Sequence, residues 1–167
     1  MPGSWGHLAR RFVWSLRVAP LSTDELQELA GLIDERTLQA YLRQNDADQR
    51  HGLEAARYVR ARNGRSELVV AALVHDLGKR QARLGIAGRV IASVLARLRL
   101  PAPGRLGNYV DHPALGAAEL RDLGLRGLAI DYTAHHHGAR PDSIDPDDWK
   151  LLSEADSTFT GDGAVDN

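Results

Sequence analysis

Residues 68–79, LVVAALVHDLGK, are apolar on every side of a helix yet enclose His75 and Asp76. A helix that is hydrophobic all round belongs in an interior. An unpaired carboxylate there is too costly to keep, so Asp76 requires a partner. The rest of the chain suggests one. Six of its seven histidines fall with two aspartates into a series: His51, His75-Asp76, His112, His135-His136-His137 and Asp156. A cation shared among such groups satisfies several of them at once.

Composition narrows the chemistry. The chain has no cysteine, which excludes disulfides, cysteine-zinc sites and thiol catalysis and leaves His, Asp and Glu as ligands. It also fits a cytoplasmic location. A net charge of −1 gives no global argument for nucleic acid. At 167 residues the expectation is one domain, burying roughly two-thirds of its unfolded surface. The longest apolar stretch, Ile86 to Leu100, is broken by Arg89, Arg97 and Arg99 and is too short to span a bilayer. The basic start, HLARRFVWSLRVAP, lacks the apolar run of a signal peptide. We read it as a helix packing Phe12, Trp14 and Leu16 on the body, with contact to a membrane surface as the alternative.

The pattern predicts helices throughout, about seven to nine, in a compact all-α bundle. Ser22 and Glu25 form a capping box ahead of a helix to Ile33, and a second covers Glu35 to Gln44. Asp46 or Asp48 caps the next, in which His51, Ala55, Tyr58 and Val59 share a face, and Asn63-Gly64 ends it. Ser66 starts the His75-Asp76 helix and Gly78 closes it. Further helices are expected over Ile86 to Leu100, after His112-Pro113, from Leu125 to about His136, and after Asp145-Pro146. No strand-period alternation stands out. The division is residues 1–45 as N-terminal helices packing on the core, 46–157 as the metal domain, and 158–167 as a flexible tail.

Each candidate ligand points inward from a different helix, which is how bundles build metal sites. The segments DQRHGLEAARYV, ALVHDLGK, DHPALGAAEL, AHHHGARPD and SEADS, in this order, resemble the HD-domain superfamily of metal-dependent phosphohydrolases. The resemblance runs from about residue 46 to 157. It implies an all-α fold of the HD-domain type with a core of about five helices and a divalent metal centre. Residue by residue, it makes His51, His75, Asp76 and Asp156 the minimal ligand set. It adds His112 and one adjacent pair of the triple histidine as the further ligands of two-metal members. The order is most similar to the HD-GYP branch, but GARPDSIDP stands where the acidic residue and the Gly-Tyr-Pro element are expected. That departure speaks against cyclic-di-GMP as the substrate. His136 belongs to either pair: the helical stripe favours His135 with His136, and the spacing from the His-Pro motif favours His136 with His137.

These residue types suit the chemistry. A carboxylate bridges two cations through its two oxygens, and two cations roughly 3.5–4 Å apart acidify a water and clamp an in-line displacement at phosphorus. Imidazoles and carboxylates accept Fe, Mn, Zn, Ni or Co without choosing among them. The implied reaction is hydrolysis of a small phosphoester, a nucleotide or related metabolite, by a metal-bound hydroxide, with Asp76 and Lys79 as the catalytic residues. The same ligand series is also similar to HD-fold di-iron oxygenases. A third option is a non-catalytic sensor or partner-binding module stabilised by its metal. Lys79 resembles the superfamily's phosphate-facing lysine; a plain helix C-terminal cation is the bland alternative. Between Asp76 and Asp111 every charged residue is cationic, and Arg80 and Arg83 are the candidates to join Lys79 on a phosphate. Asp111 is expected to cap the helix after it, and Glu54 to form a surface salt bridge.

Overall fold

Polar caps and glycines cut the chain into short helices. In the computed structural model, which describes residues 18–158, these are α1 (Thr23–Ala30), α2 (Glu35–Tyr41), α3 (Asp46–Arg62), α4 (Ser66–Val74), α5 (Ile86–Arg97), α6 (Arg105–Val110), α7 (His112–Asp122), α8 (Leu128–His135) and α9 (Pro146–Thr158). A 3₁₀ segment, Leu77–Ala82, follows α4. No strand is present among the described residues, so the expected all-α bundle of up to nine helices is what forms. No helix among them is long and apolar enough to cross a membrane. The basic N-terminal stretch and the tail beyond residue 158 lie outside the described residues.

The caps explain the boundaries. Ser22 Oγ accepts from the Glu25 amide and the Glu25 carboxylate accepts from the Ser22 amide, the expected capping box of α1. Asp145 Oδ1 accepts from the amides of Asp147 and Asp148 at the start of α9. Two readings change. Asn45, not Asp46 or Asp48, caps α3, its side chain accepting from the Asp48 amide at 2.9 Å. Asp111 stands at the N-cap position of α7 but its side chain makes no capping bond.

α4 is the central element and packs against α3, α8 and α9. Leu68, Val69, Ala71, Ala72, Leu73 and Val74 are all buried, as an all-round apolar helix demands. Each fully buried Leu or Val contributes about 1.5–3 kcal/mol. α3 turns His51, Ala55 and Val59 onto it. Leu29 of α1 and Leu38 and Tyr41 of α2 join the same core, so 18–45 and 46–158 share one apolar interior.

Close approach of α3 to α4 depends on Gly52. A Cβ there would lie 2.5 Å from the Leu73 carbonyl and 2.7 Å from the Tyr41 hydroxyl. The missing side chain lets His51, its neighbour, reach the end of α4. Gly78 does something different from the expected helix closure. The α-helix stops at Val74 and the chain continues into the 3₁₀ segment, with Gly78 as its second residue. A Cβ on Gly78 would stand 2.1 Å from the His112 carbonyl and 2.6 Å from the Gly116 amide. Two backbones therefore touch where Gly78 meets Gly116 of α7, and that contact draws His112 up to Asp76.

Candidate metal centre

The local fold brings three candidate ligands to helix ends. His75 is the residue after α4, His136 the residue after α8, and His112 lies two residues past the end of α6. Each donates Nδ1–H to the carbonyl three residues upstream: His75 to Ala72 (2.8 Å), His112 to Tyr109 (2.7 Å) and His136 to Thr133 (2.9 Å). Those carbonyls belong to last turns, where the helix itself leaves acceptors over. The bond fixes the tautomer, so each Nε2 presents a lone pair to the centre. Three helix C-termini end here, and their partial negative charge favours a cation.

Asp76 stands between two histidine groups. Its Oδ2 lies 3.5 Å from His75 Nε2 and 3.8 Å from His51 Nε2. Its Oδ1 lies 3.2 Å from His112 Nε2 and 3.5 Å from His136 Nε2. Asp156, from α9, completes the first group: its Oδ1 is 3.0 Å from His51 Nε2 and 3.2 Å from His75 Nε2. Donor atoms of His51, His75 and Asp76 all lie within 4.8 Å of one another, and so do those of His112, His136 and His137. The rings of His136 and His137 are 4.0 Å apart and those of His112 and His137 5.0 Å.

The triple histidine thus divides differently from its helical stripe. His135 faces outward and donates Nδ1–H to the Asp131 carbonyl. His137 turns back beside His136, because α8 ends at His135 and the rotation of 100° per residue no longer applies. The exposed His137 leaves the second group open to solvent on one side.

The residues fit a cation. Asp76 is 2% exposed and His75 1%, yet Asp76 Oδ1 and His75 Nε2 have no hydrogen-bond partner among the described residues. Orphaned buried acceptors are rare unless something binds them. Electrostatics agree. Burial opposes ionisation of Asp76, but Lys79 and then His75 hold its carboxyl well below the usual range. Burial opposes ionisation of Asp156 too, and the adjoining imidazoles of His51 and His75 outweigh it. Burial pushes His112 down against the pull of Asp76, with Lys79 adding to it, and pushes His51 down against the pull of Asp156. His75 is raised to about 9, since Asp76 and Asp156 overcome its burial, and the two carboxylates that hold a proton on its Nε2 would equally attract a cation in that proton's place.

The predicted phosphate cations are placed less uniformly. Lys79 is buried and its Nζ donates to Asp76 Oδ2. Arg80 is paired with Glu119 on α7. Arg83 is exposed at the end of the 3₁₀ segment. Glu54 forms the expected salt bridge, with Arg57. Sequence reasoning missed Gly116 and the carbonyls of Ala72, Tyr109 and Thr133. A glycine two residues after Asp76 and another four after His112 were the available signal.

The chain matches no family model, no curated protein and no solved structure.

Proposed function

We propose that the chain is a metal-dependent phosphohydrolase of the HD-domain type, acting on a small phosphoester such as a nucleotide. One observation carries this reading: the two oxygens of a single buried carboxylate, Asp76, face two separate sets of histidines. His51, His75, Asp76 and Asp156 would hold one divalent cation, and Asp76 with His112, His136 and His137 the other. Bound there, a pair of cations would acidify a water and neutralise phosphoryl oxygens. The chain's own residues do the rest. The Nδ1 bonds to Ala72, Tyr109 and Thr133 keep three imidazoles in one tautomer and one orientation. Lys79 keeps Asp76 ionised and is the cation nearest the bridge, so it is our residue for the phosphate. The open side beside His137 admits the substrate.

The purified chain, loaded in turn with Mn, Fe, Zn, Ni and Co, is tested on phosphomonoesters and nucleotides. Phosphate release should appear with at least one metal and vanish in Asp76→Ala. An Asp76→Ala variant that still turns over would sink the proposal. Oxygen consumption by the iron form without phosphate release would assign the centre to oxidative chemistry instead.

A further inference from the structure

Residues 77–110 contain no Asp or Glu, but they contain Lys79, Arg80, Arg83, Arg89, Arg97, Arg99 and Arg105. Several of these cations are spent inside the fold. Lys79 bonds Asp76, Arg80 bonds Glu119, Arg89 bonds both oxygens of Asp48, and Arg105 Nε donates to the Ala82 carbonyl. Arg83 and Arg99 are exposed at the surface.

They share that surface with an apolar face. Val90, Ile91, Val94 and Leu98 recur at three- and four-residue spacing on α5 and so lie along one side of it. Val90, Ile91, Leu98 and the following Leu100 are 41, 51, 55 and 50% exposed. Ala92, fully buried, marks the side on which α5 is held. A solvent-facing helix ordinarily puts its apolar side inward. Here much of it faces out.

The backbone adds an independent observation. Arg83 (φ 48°) and Arg99 (φ 54°) are the non-glycine residues with positive φ among the described residues. Arg99 closes α5, with the Leu100 amide reaching back to the Leu95 carbonyl. Glycine is the residue that suits such a terminus. Two exposed arginines, one before α5 and one after it, are held in a conformation that costs the fold.

We propose that this face, formed by Val90, Ile91, Leu98 and Leu100 with Arg83 and Arg99, docks on an anionic lipid bilayer. The apolar side chains enter the headgroup boundary and the arginines meet lipid phosphates. Charge selects this occupant: a second copy of the chain would bring like-charged arginines together. The inference is independent of the hydrolytic reading.

The full chain is sedimented with vesicles of phosphatidylcholine, alone or mixed with phosphatidylserine. Binding should be at least about tenfold stronger to the mixed vesicles and fall with added salt. Ile91→Asp should weaken it by about tenfold or more. The decisive variant is Arg83→Gly with Arg99→Gly. Glycine relieves both backbone positions, so the thermal midpoint should hold or rise while vesicle binding drops about tenfold or more. Equal binding to phosphatidylcholine alone, no binding at all, or wild-type binding by the double glycine variant would overturn the proposal. So would self-association that Ile91→Asp abolishes, which would give the face to a second copy.

Discussion

At the scale of single residues, the centre depends on atoms that are absent as much as on its ligands. Asp76 and His112 are brought together because neither Gly78 nor Gly116 has a Cβ to hold the 3₁₀ segment off α7. Gly78→Ala would press a methyl group onto the His112 carbonyl, which is backbone and has no rotamer to yield. Overpacking of this kind costs about 1–3 kcal/mol, and we expect the upper end. The urea midpoint should fall accordingly. Bound metal, measured by elemental analysis, should drop first at the histidine group that includes His112. Gly85→Ala is the control: nothing lies within 4 Å of a Cβ there, so its effect should stay within about 0.5 kcal/mol. A Gly78→Ala protein with wild-type stability and metal content would show that the contact is slack.

At the scale of elements, the capping box of α1 is tied to α3. Glu25 accepts from the Ser22 amide and pairs with Arg50 and Arg57. The Ser22 bond, then the two arginines, lower its pKa to about 2 against the opposing effect of burial. The folded-state value is below the unfolded one, near 4.5. The stabilisation is therefore complete above about 4.5 and lost as pH falls toward about 2. Denaturant midpoints of the wild type and Glu25→Gln should differ at neutral pH and converge through that window. A constant difference down to pH 2 would show that the carboxylate charge contributes nothing. Removing the other half of the box, by Ser22→Ala, should cost about 1 kcal/mol.

Element interiors and the capped starts of α1 and α9 were legible in the sequence, and the ends that carry the histidines were not. Apolar periodicity identified the buried face of α3, because side chains on a regular helix must follow its rotation, and apolarity on every side identified α4 as interior. The same rule failed where the helix stopped. Continued past α8 it paired His135 with His136, while the turn after α8 puts His137 beside His136. It set Gly78 at a helix terminus, whereas Gly78 serves a contact to α7, which lies more than thirty residues further on. α6, a single short stretch behind PAPG, has too few residues to show a period. Long-range backbone contacts and turn geometry leave no periodic trace, and the candidate ligand histidines sit at such places.

At the scale of the whole molecule, α3, α4, α7, α8 and α9 converge on a polar centre inside an otherwise apolar interior. His51 and Asp156 come from helices 105 residues apart, and Asp76 joins their group to His112 and His136. A cation bound at this point would tie together elements distant in sequence and, binding the native state only, would add its binding free energy to folding stability. At a free metal concentration of about one hundred times Kd the gain is about 2.7 kcal/mol. For a domain of this size that is a shift in thermal midpoint of about 5–11 °C. Chelator should therefore lower the midpoint of the wild type by about that amount, and added metal should restore it. His51→Ala removes a ligand of the first group, so its midpoint should respond less to either treatment. Calorimetry with parallel elemental analysis separates the possibilities. Metal lost without any change in midpoint would mean that the helices hold their ligands in place unaided. Equal chelator sensitivity in His51→Ala would move the stabilising ion to the His112, His136 and His137 side of Asp76.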